Sequence, residues 1–424
     1  MTMQPWFPEA KLGIFVHWGI YAVQGVAESW SFYGGDLSRE DYMKQLDGFT
    51  AARYDADEWA KLFARAGARY AVLTTKHHDG VALWDTRATD LSVVKSTPAG
   101  RDLVGPFAEA LRQRGLHVGL YFSHSDWSHP DYPTIRPTAP QRDWIIDNPF
   151  TMPQEGHEDP EAWERYLRVV HRGQIRELME GYRPDLLWFD GQWERDERQW
   201  RMKELREELL AMSPDTILNA RLLGHGDYAT PELGVPITPP QGPWELCYTI
   251  NNSWGHQPTD TDHKSVRELI RIFAETIGGG GNLLLATGPK ENGTFVPEHV
   301  QRLEGLGRWI RRNEEAVYAT TAGLPHGHHY GPSTLSTDRR TLYLICFDAP
   351  RGFVELRGLH TTVRRVSVLG TGQALAHRVV GGFPSRGVPG VIRIETPAES
   401  DPYATVLALE LDGEIDLYQG HGEG

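Results

Sequence analysis

Residues 184–193 read Pro-Asp-Leu-Leu-Trp-Phe-Asp-Gly-Gln-Trp, a short apolar run that ends in the carboxylate of Asp190. Such a run predicts a buried strand, and the Asp-Gly after it marks the point where the strand enters a loop. We therefore expect Asp190 at the rim of a sheet, with the rings of Trp188 and Trp193 nearby. This environment favours sugar chemistry, but Asp and Gly are also common in turns, so a turn cap is an equal alternative.

Similar apolar runs alternate with longer amphipathic stretches on both sides of this segment, as they do in βα units. The strand candidates are residues 13–18, 70–75, 118–123, 186–190, 216–220, 246–251 and 282–287. The helix candidates are residues 56–66, 103–114, 161–180, 196–212, 264–276 and 297–313. This alternation predicts an α/β fold, a (β/α)8-like TIM barrel in which one strand is weak or hidden.

The pattern changes after about residue 324, where helical periodicity ends and short β-rich runs begin. These runs are residues 341–347, 353–356, 363–368, 391–394 and 404–411, with Gly and Pro turns between them. They predict a small C-terminal antiparallel β-sandwich. The expected domains are therefore a catalytic barrel at residues 1–324 and a sandwich at residues 325–424. At the boundary, His326, His328 and His329 are interpreted as linker residues and not as a metal site, because Gly and Pro surround them.

The composition excludes several classes of function. A formal net charge of -14 leaves no basic surplus to neutralise phosphates, which argues against a nucleic-acid or anionic-membrane partner. Cys247 and Cys346 are two isolated cysteines and provide no disulfide framework. The N-terminus lacks the basic and apolar regions of a signal peptide, and no apolar run is long enough to span a membrane. We expect a cytoplasmic protein with a neutral substrate.

Barrel enzymes carry their active sites on the loops after the C-terminal ends of the strands. His17, His77 and His78 occupy such positions. Adjacent strand residues point to opposite faces, and these three histidines have neither His-x-His nor His-Glu-x-x-His spacing, so a metal site is disfavoured here. Hydrogen bonding to sugar hydroxyls is the favoured interpretation, and a structural role for one of the adjacent pair is the alternative.

A second polar and aromatic cluster follows the third strand. Its members are Tyr121, Ser123, His124, Asp126 and Trp127. Tyr offers a hydrogen bond and Trp a flat apolar wall, so the cluster is interpreted as the lining of a cleft that binds hydroxyls and a ring face.

Hydrolysis of a glycosidic bond usually needs two carboxyl groups, one beside the anomeric carbon and one that protonates the leaving oxygen. Glu232 lies in a loop after the fifth strand candidate, and Glu245 lies at the start of the sixth. Strand starts lie at the end of a barrel opposite the chemistry, so position favours Glu232. Arg221 could orient a carboxylate with two hydrogen bonds, or form an ordinary surface ion pair.

Six motifs in this chain resemble those of the α-L-fucosidases of glycoside hydrolase family 29. They are Gly-Ile-Phe-Val-His-Trp-Gly from residue 13, Ala-Arg-Tyr-Ala-Val-Leu-Thr-Thr-Lys-His-His-Asp-Gly ending at residue 80, Gly-Leu-Tyr-Phe-Ser from residue 119 with Asp126-Trp127, Leu-Trp-Phe-Asp-Gly around residue 190, Ser-Trp-Gly from residue 253, and Gly-Asn-Leu-Leu-Leu-Ala-Thr-Gly-Pro from residue 281. The resemblance implies a barrel followed by a β-sandwich. It also implies a retaining double displacement without metal or cofactor, with Asp190 as the nucleophile that forms a covalent fucosyl-enzyme.

The resemblance also implies which residues bind fucose. They are His17, His77, His78, Tyr121 and Trp188, together with Glu28 and Trp30, although Ser29 interrupts the Glu-Trp pattern of the family. A second departure is Val81, at a position where the family often has an aromatic residue. Family members that carry the acid/base in a Thr-Pro-Glu segment after an Arg select Glu232 with Arg221, whereas those that use a Trp-Glu segment select Glu245. We favour Glu232.

The implied substrate is a terminal α-L-fucose on an oligosaccharide or glycoconjugate, and the state of oligomerisation, including a homo-oligomer, stays open. Linkage preference is expected to depend on residues 130–156 and 222–243. Three alternatives remain: an inactive fucose-binding relative, a metal-dependent hydrolase, and a hydrolase of another deoxy or galacto-configured sugar.

Overall fold

The computed structural model describes residues 3–34, 36–132, 159–349 and 351–420. Its main feature is one curled sheet of seven parallel strands in the spatial order β5-β4-β3-β2-β1-β7-β6. The strands are β1 (Leu12–Val16), β2 (Tyr70–Lys76), β3 (His117–Ser123), β4 (Leu186–Asp190), β5 (Ile217–Leu218), β6 (Glu245–Thr249) and β7 (Asn282–Thr287). All seven predicted strands are present, and β5 is much shorter than expected.

An irregular segment, residues 227–233, closes the ring between β5 and β6. It forms parallel bridges to both strands: Tyr228 pairs with Asn219 on one side, and Glu232 pairs with Cys247 on the other. The amide of Cys247 donates to the oxygen of Pro231 at 3.1 Å, while Pro231 itself has no N–H to give. This segment is the hidden strand of the predicted barrel. Glu232 stands at its carboxyl end, on the rim where barrel chemistry occurs.

The first helix, Trp6–Ala10, contributes Phe7 and Ala10 to the core inside the barrel, and most of the other helices cover the outside of the sheet. The described residues form thirteen α-helices. They are α1 (Trp6–Ala10), α2 (Trp30–Tyr33), α3 (Arg39–Met43), α4 (Ala56–Ala66), α5 (Val93–Ser96), α6 (Val104–Gln113), α7 (Pro160–Arg165), α8 (Arg172–Tyr182), α9 (Glu197–Trp200), α10 (Met202–Met212), α11 (Val266–Gly278), α12 (Pro297–Arg312) and α13 (Glu314–Val317). Of the six predicted helices, two are interrupted. A π-helical turn at Tyr166–His171 separates α7 from α8, and Arg201, with a φ of +52°, separates α9 from α10. Within the described ranges, no helix is long and apolar enough to cross a membrane.

Side chains alternate between the barrel interior and the layer under the helices. On β1, Ile14 and Val16 belong to the outer core, whereas Phe15 points inward and contacts Trp188 with ring centroids 4.9 Å apart. Tyr70 and Tyr121 also fill the interior. The barrel is thus packed with aromatic rings, which form a floor beneath the rim.

The C-terminal part forms two antiparallel sheets with their own apolar core. The five-stranded sheet has the order β12-β15-β10-β9-β8, and the three-stranded sheet has the order β11-β14-β13. The strands are β8 (Thr320–Ala322), β9 (Ser333–Ser336), β10 (Thr341–Cys346), β11 (Phe353–Leu356), β12 (Val363–Val368), β13 (His377–Val380), β14 (Val391–Glu395) and β15 (Thr405–Leu411). The predicted barrel followed by a β-sandwich is confirmed. The division at residues 324 and 325 stays a prediction, and the first strand of the sandwich begins at Thr320.

The three histidines near this junction contact backbone oxygens. His326 Nε2 lies 3.2 Å from the oxygen of Ile237, and His328 Nδ1 lies 2.8 Å from that of Arg357. His329 Nδ1 lies 3.5 Å from a backbone oxygen of β11. Across the described part of the chain, no group of three or more His, Cys, Asp or Glu side chains is arranged to hold a metal ion.

Packing of α12 against α4 gives a testable contrast between two helical glycines. A Cβ on Gly307 would lie 2.0 Å from the backbone oxygen of Arg65, whereas one on Gly181 would meet nothing within 4 Å. Gly181→Ala should raise the free energy of unfolding by about 0.5–1 kcal/mol through helix propensity. Gly307→Ala should lower it by about 1–3 kcal/mol, because two backbones must separate. Chemical denaturation measures both, and equal effects would contradict the close crossing.

Candidate active site

Asp190 ends β4 with its carboxylate held by side chains from neighbouring strands. Tyr121, on β3, donates its hydroxyl to Oδ2 at 3.0 Å, and Arg221, after β5, donates Nη1 to Oδ1 at 2.6 Å. The Asp190 side chain is 13% exposed. These contacts place the carboxylate at the mouth of the barrel, on the aromatic floor formed with Trp188, and not in the turn that follows the strand.

Arg221 joins Asp190 to a second carboxylate. Its Nη2 donates to Glu232 Oε2 at 2.7 Å, so that the two terminal nitrogens of one guanidinium bind two different carboxylates. The Glu232 side chain is 40% exposed, which leaves it accessible from the solvent side. The guanidinium carbon lies 4.7 Å from the centre of the Trp188 ring, an arrangement that permits a cation–π interaction. Burial lowers the pKa of the Arg221 guanidinium, but the negative charges around it, chiefly Asp190, outweigh burial and raise the pKa above its ordinary value.

Glu245, the alternative acid/base, has a different environment. It begins β6, it is completely buried, and it accepts a hydrogen bond from Trp188 Nε1 at 2.8 Å. The hydroxyls of Tyr70 and Tyr228 also contact its carboxyl group. Burial raises the pKa of Glu245 to about 7. The structure thus places Glu245 inside the barrel, beneath the floor, where it fixes the indole of Trp188.

His17, His77 and His78 converge on Asp190 although two of them are adjacent in sequence. Strand β2 ends at Lys76, so the alternation of a strand no longer separates His77 from His78. The His77 ring stacks on Tyr121 with centroids 5.6 Å apart, and His78 Nε2 lies 3.7 Å from Asp190 Oδ2. Burial lowers the pKa of all three imidazoles well below the ordinary value, so they are neutral at pH 7.

The hydrogen-bond network fixes which nitrogen of His78 carries the proton. Ser123 Oγ donates its only proton to the backbone oxygen of Ser125 at 2.7 Å, so it accepts from His78 Nδ1 at 2.6 Å. His78 Nε2 is then a free acceptor that faces the site. Neither this atom nor Nδ1 of His17 has a hydrogen-bond partner among the described residues, although both are buried. Buried polar atoms without a partner are rare in proteins, so these two nitrogens are candidate contacts for the hydroxyl groups of a ligand.

Glu28 lies in the loop after β1, and Trp30 begins α2. Glu28 is buried, burial raises its pKa to about 7, and its Oε1 accepts from the amide of Gly255 at 2.5 Å. Trp30 packs edge-on against His78 at 5.4 Å and stacks beside Trp193 at 6.1 Å. Ser29, which interrupts the expected Glu-Trp pair, lies 2.7 Å from His77 Nδ1 through its Oγ and so orients that ring.

The cluster predicted after the third strand begins inside β3, and the wall of the barrel divides it. Tyr121 and Ser123 belong to the site, whereas His124 stacks on Phe189 in the outer layer, with ring centroids 4.7 Å apart. Asp126 lies 3.8 Å from the buried amine of Lys76, away from Asp190.

Trp127 packs near His78 at 4.6 Å and donates its Nε1 to Glu194 at 3.0 Å. Trp254 was not singled out in the sequence, but its ring lies 5.1 Å from that of His17. The Ser-Trp-Gly motif after β6 was the signal in the sequence that could have identified Trp254.

Residues 133–156, expected near the leaving group, lie outside the described residues, whereas residues 222–243 include Glu232.

Comparisons with known proteins agree with this geometry. A family model described as "Alpha-L-fucosidase" matches residues 1–315. The tissue alpha-L-fucosidase of Mus musculus is 32% identical over 398 residues, which cover 86% of this chain and 83% of the relative.

Two solved structures have the same fold. Alpha-L-fucosidase isoenzyme 1 from Paenibacillus thiaminolyticus has a TM-score of 0.83 at 32% identity, covering 96% of this chain and 98% of that one. A GH29 alpha-L-fucosidase from Bacteroides thetaiotaomicron, solved as a trapped covalent intermediate with 2-fluoro-fucosyl fluoride, has a TM-score of 0.83 at 26% identity, covering 96% and 95%. The predicted family is confirmed, and the chain is a glycoside hydrolase.

The buried carboxyl group of Glu245 should make stability depend on pH. Its pKa of about 7 in the folded protein exceeds the ordinary 4.5, so the folded state keeps a proton that the unfolded state releases between these values. The contribution of this carboxyl group to the free energy of unfolding should therefore fall as the pH rises through this window, by about 1.4 kcal/mol per unit. Glu245→Gln should remove this pH-dependent contribution to the free energy of unfolding.

Denaturant unfolding of the wild type and the Glu245→Gln variant at pH 4.5, 6 and 7.5 tests this. Between pH 4.5 and pH 7.5, the free energy of unfolding of the variant should rise by about 3 kcal/mol relative to that of the wild type. A difference in stability that does not change with pH would show that Glu245 is not protonated inside the barrel.

Proposed function

Because the chain belongs to the alpha-L-fucosidase family, we propose that it removes terminal α-L-fucose from oligosaccharides or glycoconjugates by a retaining double displacement. Asp190 attacks the anomeric carbon, and a covalent fucosyl-enzyme forms as the bond to the leaving oxygen breaks. Glu232 gives its proton to that oxygen, then takes one from the water that releases fucose. The trapped covalent intermediate of the Bacteroides thetaiotaomicron relative supports this type of mechanism.

The observation that carries the proposal is the pairing of Asp190 and Glu232 on one guanidinium. Retaining glycosidases need two carboxyl groups about 5–5.5 Å apart, and a shared Arg221 holds two carboxylates close together. Glu232 is exposed enough to meet a leaving group or a water molecule, whereas Glu245 is sealed beneath Trp188. These environments favour Glu232 as the acid/base.

Arg221 also suits the redistribution of charge during the reaction. Before attack, Asp190 is negative and Glu232 carries the proton. In the intermediate, Asp190 is a neutral ester and Glu232 has become the carboxylate. Because the guanidinium contacts both groups, it faces one negative charge in each state without having to move. A fixed cation of this kind stabilises developing charge at no reorganisation cost.

The remaining residues suit a neutral sugar. His17 and His78 present unpaired nitrogens, so they exchange hydrogen bonds with hydroxyl groups without introducing charge. Trp188 and Tyr121 supply an apolar floor against which the carbon face of a sugar ring packs. Trp30 and Trp254 extend these aromatic surfaces at the rim.

A panel of nitrophenyl glycosides tests the substrate. Hydrolysis of the α-L-fucoside with little activity on galactosides or other deoxy sugars supports the proposal. Absence of turnover with retained fucose binding would support the inactive relative instead, and inhibition by a chelator would support the metal-dependent alternative.

Removal of the nucleophile should abolish turnover and spare binding. Asp190→Ala should lower kcat on the nitrophenyl α-L-fucoside by about 10⁴-fold or more, because no covalent intermediate forms. Calorimetry should still detect fucose binding, since the histidines and Trp188 are unchanged. Activity near the wild-type level in a correctly folded variant would refute the nucleophile assignment.

Removal of the acid/base should depend on the leaving group. Glu232→Ala should cost about 10²–10⁴-fold on a fucosylated disaccharide but much less in the first step on an aryl fucoside, whose leaving group needs little protonation. Azide needs no general base, so it should restore turnover of the aryl substrate and yield fucosyl azide. Glu245→Gln is the matched control and should show neither effect; if it does and Glu232→Ala does not, the acid/base is Glu245.

A further inference from the structure

The backbone of Arg221 lies beyond the regular hydrogen bonds between β4 and β5. Strand β5 contains only Ile217 and Leu218, so its ladder ends before Arg221. The Asn219 side chain substitutes for one further rung, because it accepts from the amide of Phe189 and donates to the oxygen of the same residue, both at 2.9 Å. A different contact has to fix the backbone at Arg221 itself.

His124 provides that contact. Its imidazole lies in the outer layer, with Nε2 3.2 Å from the backbone oxygen of Arg221. Its own backbone amide donates to the oxygen of Asp190 at 2.7 Å. One residue therefore holds the main chain of Asp190 through its amide and the main chain of Arg221 through its ring, although Arg221 is 97 positions away in sequence.

The protonation of the His124 ring follows from its partners. A carbonyl only accepts, so Nε2 carries the proton that is donated to Arg221. Burial lowers the pKa of His124 to about 3, so the ring is neutral and Nδ1 is an acceptor. His171 Nε2 lies 2.8 Å from that nitrogen and must donate to it. Arg172 Nη1, 3.4 Å from His171 Nδ1, supplies the next proton.

Arg172, His171 and His124 thus form a hydrogen-bond relay. Each of its donors points in the same direction, toward the backbone oxygen of Arg221. The outer end is anchored, because Arg172 Nη2 also donates to the backbone oxygens of Trp200 and Arg201 at 3.0 and 2.9 Å. His171 lies in the π-helical turn Tyr166–His171, and such turns occur frequently at functional sites.

We propose that His124 is a positioning residue, which aligns Asp190 and Arg221 from behind the barrel wall, and that His171 and Arg172 fix its tautomer. The inference rests on the proposed function, since its effect on turnover is transmitted through the Arg221 guanidinium to both carboxylates. His124 does not contact the site where the sugar is proposed to bind.

The test compares three replacements of the relay in the full-length chain. His124→Phe preserves the ring stacking on Phe189 but removes the hydrogen bond to Arg221. His124→Gln keeps an amide N–H at the distance of Nε2. His171→Phe keeps the His124 side chain but removes the donor that fixes its tautomer, so the proton is no longer held on Nε2 for the hydrogen bond to Arg221.

His124→Phe should lower kcat about 10- to 100-fold with KM changed less than about threefold, because misplacement of catalytic groups by about 1 Å can cost about 100-fold. The loss should be equal on aryl fucosides and on disaccharides, in contrast to Glu232→Ala, since Arg221 serves both carboxylates. His124→Gln should recover most of the activity. The double variant His124→Phe/His171→Phe should be no slower than His124→Phe, because the relay acts only through His124.

A kcat of His124→Phe within twofold of the wild type, or a loss that His124→Gln does not reverse, would overturn the proposal. If His124→Phe does not fold, the activities of His171→Phe and His124→Gln are compared with that of the wild type instead. Equal activity of His171→Phe and the wild type would overturn the role of His171 in fixing the tautomer. Nitrogen-15 NMR of labelled histidine gives a readout independent of turnover: His124 and His171 should remain neutral with protonated Nε2 from pH 5 to pH 8. An inactive wild type with this NMR signature would refute the proposed function and leave the relay geometry intact.

Discussion

The two ion pairs of Arg221 are the contacts on which the rest of the site depends. Two carboxylates held close together at the mouth of a barrel repel each other. A guanidinium between Asp190 and Glu232 removes that penalty and fixes their separation at the same time. Its planar fork suits this task better than a lysine amine, because the two terminal nitrogens bind separate groups in fixed directions.

Much of the surrounding structure supports that one side chain. Trp188 lies against the guanidinium, and Glu245 holds the indole of Trp188 from below. His124 holds the backbone from behind. The short β5 explains why so many side chains are needed, since regular ladder bonds end before Arg221 is reached. A buried carboxyl group without a cation, such as Glu245, is acceptable here because three neutral donors contact it.

The sequence predicted those features that depend on local pattern. Apolar runs predicted seven strands because parallel strands buried on both faces read as continuous hydrophobic segments. Residues 227–233 escaped detection because Pro231 and polar residues interrupt them, and their strand-like role comes only from pairing with β5 and β6. Strand β8 also escaped detection, because it is only three residues long.

Contacts between distant residues could not be predicted in this way. The contacts of Glu28 with Gly255 and of His124 with Arg221 join loops that only the closed barrel brings together. The position of Glu232 in a loop after the fifth strand candidate was reasoned from topology, and the family resemblance associated it with Arg221. The contact of one guanidinium with both Glu232 and Asp190 became evident only from the fold. Asp190 could be placed on the rim because it ends a continuous apolar strand, whereas its hydrogen bond to Tyr121 depends on the register between β3 and β4.

The identity of the residue that becomes covalently attached to the sugar tests the account most directly. The protein would be incubated with 2-fluoro-fucosyl fluoride, and its intact mass and proteolytic peptides would be measured. The account predicts one fluorofucosyl group per chain, located on Asp190, with Glu232 unmodified. A stable label on Glu232 or Glu245, or an active enzyme that inverts the anomeric configuration and forms no adduct, would contradict it.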